Sequence, residues 1–109
     1  MRNTNTFRDY IVDQLATVPR LGLRAMFGGL GLYSGEVFFG ILAADVLYFK
    51  VDDSNRAEYV RAGMSPFKPY AEGPMSKSYY TVPLTVIEDS ETLCAWAKKA
   101  VAVARRAKK

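Results

Sequence analysis

Arg24-Ala25-Met26-Phe27-Gly28-Gly29-Leu30-Gly31-Leu32-Tyr33, then Ser34-Gly35-Glu36, then Val37-Phe38-Phe39-Gly40-Ile41-Leu42-Ala43 form the stretch on which the fold turns. The first part reads as a glycine-rich strand, the second as a turn and the third as a returning strand. In the returning strand, strict alternation puts Val37, Phe39 and Ile41 on one face and Phe38 and Leu42 on the other. Ala44-Asp45 marks another turn. Residues 46–51 make a third strand, with Leu47, Phe49 and Val51 toward the core and Tyr48 and Lys50 opposite. The stretch is apolar enough to imitate a membrane span, because residues 25–49 carry only Glu36 and Asp45 as charges. The glycines argue for sheet instead, and each acid would cost about 3 kcal/mol near a bilayer centre.

Working outward, Phe7, Tyr10, Ile11, Leu15 and Val18 recur at helical spacing and predict an amphipathic helix over residues 5–18, stopped by Pro19. After the third strand, Asp52-Asp53-Ser54-Asn55 offers cap oxygens, and Asn55 with Glu58 has capping-box spacing. A short helix follows and ends at Gly63. Residues 65–67 resume an extended path, Glu72-Gly73-Pro74 reads as a turn, and residues 78–83 as a strand. Asp89 or Ser90 caps a last helix whose stripe is Leu93, Trp96, Ala97, Ala100 and Ala104. The expected fold is α+β, in the order α-β-β-β-α-β-β-α. It has a mainly antiparallel sheet of about five strands, with helices on one face.

The chain has 109 residues, enough for a single domain, 1–109, with one modest core. Half of its residues are hydrophobic, which excludes disorder. It has no histidine and one cysteine, Cys94, so it lacks the commonest general base, a disulfide and a cysteine zinc cage. The net charge is +4. Residues 98–109 hold six basic side chains and no acid, leaving nine Lys and Arg against 11 Asp and Glu, a net of −2, in the rest. The basic excess belongs to a helical tail, where the dipole and free carbonyls favour cations. The alternative is contact with nucleic-acid phosphates by Lys98, Lys99, Arg105, Arg106, Lys108 and Lys109. No membrane partner is expected. The polar start Met1-Arg2-Asn3-Thr4-Asn5-Thr6 is unlike a signal peptide, so the expected compartment is cytoplasmic.

Several groupings invite chemistry. Gly28-Gly29-Leu30-Gly31 lacks the Lys-Ser/Thr and following helix of a phosphate loop, so the glycines read as a bulge or as close packing of a helix on the sheet. Asp52-Asp53 beside Lys50 and Arg56 read as helix-capping acids rather than metal ligands. Tyr48, Lys50, Tyr79 and Tyr80, with Lys77 nearby, are placed together on the uncovered sheet face, a surface for a protein partner or a second copy. Such a face also resembles base-stacking sheets. Cys94 reads as a small buried apolar residue, and Ser76, Lys77 and Ser78 match no serine–lysine signature. No catalytic residue, cofactor or metal follows from these residues.

The run at residues 24–33 resembles the opening signature of the TfoX N-terminal domain family. Phe39-Gly40, Leu47-Tyr48-Phe49-Lys50-Val51-Asp52, Arg56, Gly63, Pro66-Phe67, Ser78-Tyr79-Tyr80, Pro83 and Leu93-Cys94-Ala95-Trp96-Ala97 continue the likeness, which spans about residues 7–104. The motif positions that carry it are Arg24, Met26, Phe27, Gly28, Gly29, Gly31, Tyr33, Gly40, Tyr48, Lys50, Asp52, Tyr79 and Tyr80. The resemblance implies a two-layer sandwich similar to secretion-chaperone-like folds. It also implies kinship with the TfoX or Sxy competence regulators, which promote transcription of DNA-uptake genes and carry a second, helical domain. This sequence stops at Lys109, and the expectation is a stand-alone, non-enzymatic interaction module of a regulatory kind, with direct nucleic-acid binding by the basic tail as the alternative.

Overall fold

Thr4 starts the first helix, its hydroxyl accepting the amide of Phe7 at 3.1 Å and so satisfying one orphan donor. In the computed structural model, which describes residues 3–26, 28–67 and 76–107, α1 (Asn5–Gln14) is followed by four strands. These are β1 (Leu21–Met26), β2 (Gly29–Ser34), β3 (Val37–Ala43) and β4 (Val46–Lys50). Then come α2 (Arg56–Arg61), β5 (Pro66–Phe67), β6 (Ser76–Thr81), α3 (Leu84–Ile87) and α4 (Ser90–Ala107). The strands form one antiparallel sheet in the order β1-β2-β3-β4-β6-β5. The α+β class and the two layers are as expected. The order gains a strand and a short helix.

The extra strand comes from the glycine-rich run, which is a hairpin and not one strand. Met26 faces Gly29 across the ladder, and Gly28 sits at φ 75°, a left-handed conformation that suits glycine. The next two turns fall where expected, with Ser34 opposite Val37 and Ala43 opposite Val46. Ala44 and Asp45 both take positive φ, 52° and 59°, as a two-residue hairpin turn requires. Asn3 and Thr4 hold that turn. Asn3 Nδ2 donates to the Leu42 carbonyl at 2.7 Å, and Asn3 Oδ1 accepts from Asp45 N at 2.9 Å. The Thr4 amide donates to Asp45 Oδ1 at 2.7 Å.

Strict alternation fails inside β3. Gly40 pairs with Leu32 and Phe38 with Tyr33, so Phe39 is an extra residue, a β-bulge. A one-residue slip reverses every later side chain. Leu42 therefore joins Val37 and Phe39 on the core side, while Ile41 joins Phe38 on the outer side. This corrects the expected pairing of Ile41 with Phe39. β4 keeps its expected facing, with Leu47, Phe49 and, just after it, Val51 in the core.

All four helices pack on this one face. Ile11 of α1, Tyr59 of α2, Val86 and Ile87 of α3, and Leu93 and Ala97 of α4 share a core with Leu32, Phe39 and Phe49. Alanines at 97, 100 and 104 give α4 a smooth buried side that lets it lie close to the strands. The helix expected over residues 5–18 ends at Gln14, yet Leu15 and Val18 stay buried in the following turn. Tyr10, expected in its apolar stripe, is exposed. Gln14 joins three helices: its side chain donates to the Ile87 carbonyl at 2.8 Å, and its own carbonyl accepts Ser90 Oγ at 2.7 Å and Cys94 Sγ at 3.2 Å. Cys94 is buried, as its sequence setting implied. Among the described residues, no helix is long and apolar enough to cross a membrane.

Tyr59 is almost fully buried beneath Trp96, 4.7 Å between ring centroids, and its hydroxyl has no hydrogen-bond partner among the described residues. Burial raises its pKa, so the orphan group is a neutral phenol. A buried unsatisfied hydroxyl costs about 1–3 kcal/mol. Tyr59→Phe is expected to stabilise the protein by up to that amount, measured as a higher midpoint of chemical unfolding; a lower midpoint would show that the hydroxyl is satisfied.

Candidate functional site

With the helices on one side, the other side of the sheet is built from the alternate residues: Arg24, Tyr33, Phe38, Ile41, Tyr48, Lys50 and Tyr79. The glycines shape it. A Cβ on Gly29 would lie 2.6 Å from the Leu42 carbonyl oxygen, and one on Gly31 would lie 3.1 Å from both Met26 Sδ and Phe38. One on Gly40 would point to the core side instead, 2.9 Å from the Tyr48 carbonyl and 3.2 Å from Leu32 and Phe49. The close packing foreseen for Gly29 and Gly31 is thus real, but the neighbours are strand backbone and outer-face side chains, not a helix. Gly31 leaves room in which Met26 and Phe38 meet across β2.

A row of rings crosses this face. The Arg24 guanidinium lies 4.5 Å from the Tyr33 ring centre, and Tyr33 stacks on Phe38 at 5.2 Å. Phe38 meets Tyr79 at 5.5 Å, and the Lys50 ammonium sits 5.0 Å from the Tyr79 ring. Cations therefore cover both ends of an aromatic row, each held by the negative ring face. Beside it, Tyr48 packs edge-on to Phe67 at 4.6 Å, and Ile41, Ala43 and Phe67 form a small buried cluster. Burial, with a smaller contribution from Tyr33, pushes the Tyr79 pKa up to about 12, and burial also raises that of Tyr48. Both phenols are neutral hydrogen-bonding groups at physiological pH.

Of the tyrosines placed together from sequence, Tyr80 does not belong here. It faces Phe49 in the ladder and packs on the helix side, 6.2 Å from Tyr59, because consecutive strand residues point to opposite faces. The side chain of Lys77 lies outside the described residues, as do Phe27, Lys108, Lys109 and the turn expected at Glu72-Gly73-Pro74. Phe38, Ile41 and Phe67 complete the face without having been assigned to it. Phe38 stood opposite Phe39 in the alternation, but nothing local announced the bulge that brings Ile41 beside it.

A shallow cavity of about 240 Å³ opens at one end of the row, lined by Glu36, Phe38, Lys50, Tyr79, Ala104 and Ala107 among others. Asp52 is not in its wall. Instead Asp52 Oδ1 accepts the Ser54 amide at 2.8 Å and the Ser54 hydroxyl, and Oδ2 accepts Arg106 at 3.2 Å. Asn55 does not cap α2 as its spacing proposed. Its side chain turns back, accepting from the Asp52 amide at 2.8 Å and donating to the Lys50 carbonyl at 3.2 Å. Asp53 pairs with Arg56. Among the described residues no group of three or more His, Cys, Asp or Glu is placed to hold a metal.

The basic tail is partly spoken for. Arg106 binds Asp52 and, at 3.1 Å, Ser54 Oγ; Lys99 binds Glu58 at 3.0 Å. Lys98 and Arg105 line a groove of about 220 Å³ with Pro19, Ser34, Val101 and Ala102. A family model described as the TfoX N-terminal domain matches residues 13–104 of the chain. No curated protein matches it.

The hydrogen bonds from Ser54, and then the Arg106 guanidinium, hold the Asp52 carboxyl below its ordinary 3.8. A depressed carboxyl contributes stability above its unfolded pKa and loses it as the pH falls through the folded value. Unfolding midpoints of wild type are therefore expected to drop more steeply below about pH 4 than those of Asp52→Asn. At neutral pH the variant is expected to be the less stable of the two. Parallel curves would remove Asp52 from the acid transition.

Proposed function

The chain belongs to the TfoX N-terminal domain family, and we propose that it works as a non-enzymatic protein-interaction module, regulatory in kind, that meets its partner with the outer sheet face. The observation that carries this reading is the cation-ended aromatic row Arg24–Tyr33–Phe38–Tyr79–Lys50, which the helices leave uncovered. Aromatic and arginine side chains on a rigid support are the groups that dominate protein interfaces, because they bring large area with little rotamer freedom to lose. A sheet holds them more firmly than a loop would. Kinship with competence regulators points to a transcription regulator as the partner.

The engagement of the reactive side chains among the described residues supports the non-enzymatic part of the reading. There is no histidine, and Cys94 is buried with its thiol directed to the Gln14 carbonyl. Asp52 is engaged by Ser54 and Arg106, and the Tyr79 phenol is held in its neutral form. Nucleic-acid binding by the tail is the weaker reading, because Lys99 and Arg106 already face acids of the same chain.

Tyr33→Ala is expected to leave the fold intact, since Tyr33 lies on the outer side, and to weaken partner capture by about tenfold or more, as removal of an aromatic anchor does. Affinity capture with wild type and variant, with circular dichroism as the fold control, tests this. Equal capture by both would remove the outer face from the interaction. Retention on nucleic acid that vanishes when Lys98 and Arg105 are changed to glutamine would favour the tail.

A further inference from the structure

The two edges of the sheet are unlike. β5 is two residues long, begins with Pro66 and carries a register shift against β6, all of which blunt an edge. β1 is six residues long, contains no proline, and pairs in unbroken register with β2 along its whole length. Its one charged residue, Arg24, would guard the edge if it stood free. Its guanidinium instead leans inward over the Tyr33 ring of β2.

The hydrogen-bond parity of β1 follows from one contact. The Gly35 amide donates to the Arg20 carbonyl at 2.9 Å, which makes Arg20 and Gly35 a hydrogen-bonded pair. Alternation then directs the backbone groups of Gly22, Arg24 and Met26 to β2 and those of Leu21, Leu23 and Ala25 away from the sheet. Among the described residues no backbone or side-chain hydrogen bond reaches these outward groups.

We infer that β1 pairs with β1 of a second copy of this chain, antiparallel about a two-fold axis through Leu23, joining the two sheets edge to edge. In this register Leu23 faces Leu23, Leu21 faces Ala25 and Arg24 faces Gly22. The three outward residues of each strand exchange about six hydrogen bonds. The segment complements itself: each arginine meets a glycine and never the other arginine. Space for it exists, because a Cβ on Gly22 would have nothing within 4 Å. On the helix side, half-exposed Leu21 and Leu23 gain cover from Ala25 and Leu23 of the second copy. The contact uses the edge and shares only Arg24, the end of the outer-face row, so edge pairing and the partner capture tested at Tyr33 are read out separately.

Gly22 supplies the test. Gly22→Arg fits the single copy, since the space is open, but sets like charges opposite each other twice in the pair. Gly22→Glu puts opposite charges in the same two places. Sedimentation of the full chain is expected to show a wild-type dimer, and Gly22→Arg should dissociate about tenfold more readily. Gly22→Glu should bind at least as tightly as wild type, and all three should share one circular dichroism spectrum. Amide exchange is expected to show Leu23 and Ala25 protected in wild type and fast in Gly22→Arg. A wild type that stays monomeric at high micromolar concentration overturns the inference, as do equal dimerisation of all three proteins and fast exchange at Leu23 and Ala25 in a wild-type dimer.

Discussion

The insertion of Phe39 as an unpaired residue in β3 governs what both faces of this sheet contain. Before the bulge, Val37 faces the helices and Phe38 faces out. Without the bulge, Ile41 would follow Phe39 inward and Leu42 would point outward. With it, Leu42 drops beneath α4 beside Phe39, and Ile41 joins Ala43 and Phe67 on the far side. One strand thereby supplies apolar residues to both layers of packing. The central position of β3 makes this possible, because a strand flanked by neighbours can keep its ladder through a local irregularity. Phe38, just before the bulge, is the outward ring that links Tyr33 to Tyr79, and the bulge adds Ile41 to its side of the sheet.

Much of this was legible in the residues. Gly35 and the Ala44-Asp45 pair announced their turns, Gly63 its helix end, and Leu47-Tyr48-Phe49-Lys50 its two faces by plain alternation. The hairpin hidden in residues 24–33 was not legible, because glycine permits a strand and a reversal equally well. The bulge was not legible because Phe-Phe-Gly supplies an apolar residue for either phase. Tyr80 could have been separated from Tyr79 by the period of two alone. Helix α3 was missed because Pro83 reads as a strand end and also serves as the residue before a helix. For the candidate site, alternation places Tyr48, Lys50 and Tyr79 on one face, while Arg24 and Tyr33 stand only among the positions of the family motif. Their mutual geometry was not legible, since it depends on which strands are neighbours and on Gly31 leaving room between them.

Electrostatics follow the same division between composition and placement. A tail of six cations looks like an anion-binding device, yet the turn before α2 and the side of that helix are acidic, and α4 lies against them. Arg106 and Lys99 are drawn to Asp52 and Glu58, across 54 and 41 residues of chain. These exposed pairs are individually weak. Their importance is positional, because they orient the end of α4 and reduce the cationic surface it presents.

The contacts of α1 bear on the order in which the molecule assembles. Its N-terminal side is bound to the β3–β4 turn, 39 to 42 residues away, and its C-terminal residue Gln14 to Ile87, Ser90 and Cys94, 73 to 80 residues away. The four strands between are joined by successive two-residue turns, contacts that close quickly because little chain must be drawn in. α1 is thus made before both of the segments that hold its ends. α1 has to wait, its apolar side uncovered, until α4 emerges and docks. It then acts as a clasp, locking a meander that was already formed to the helix that completes its core.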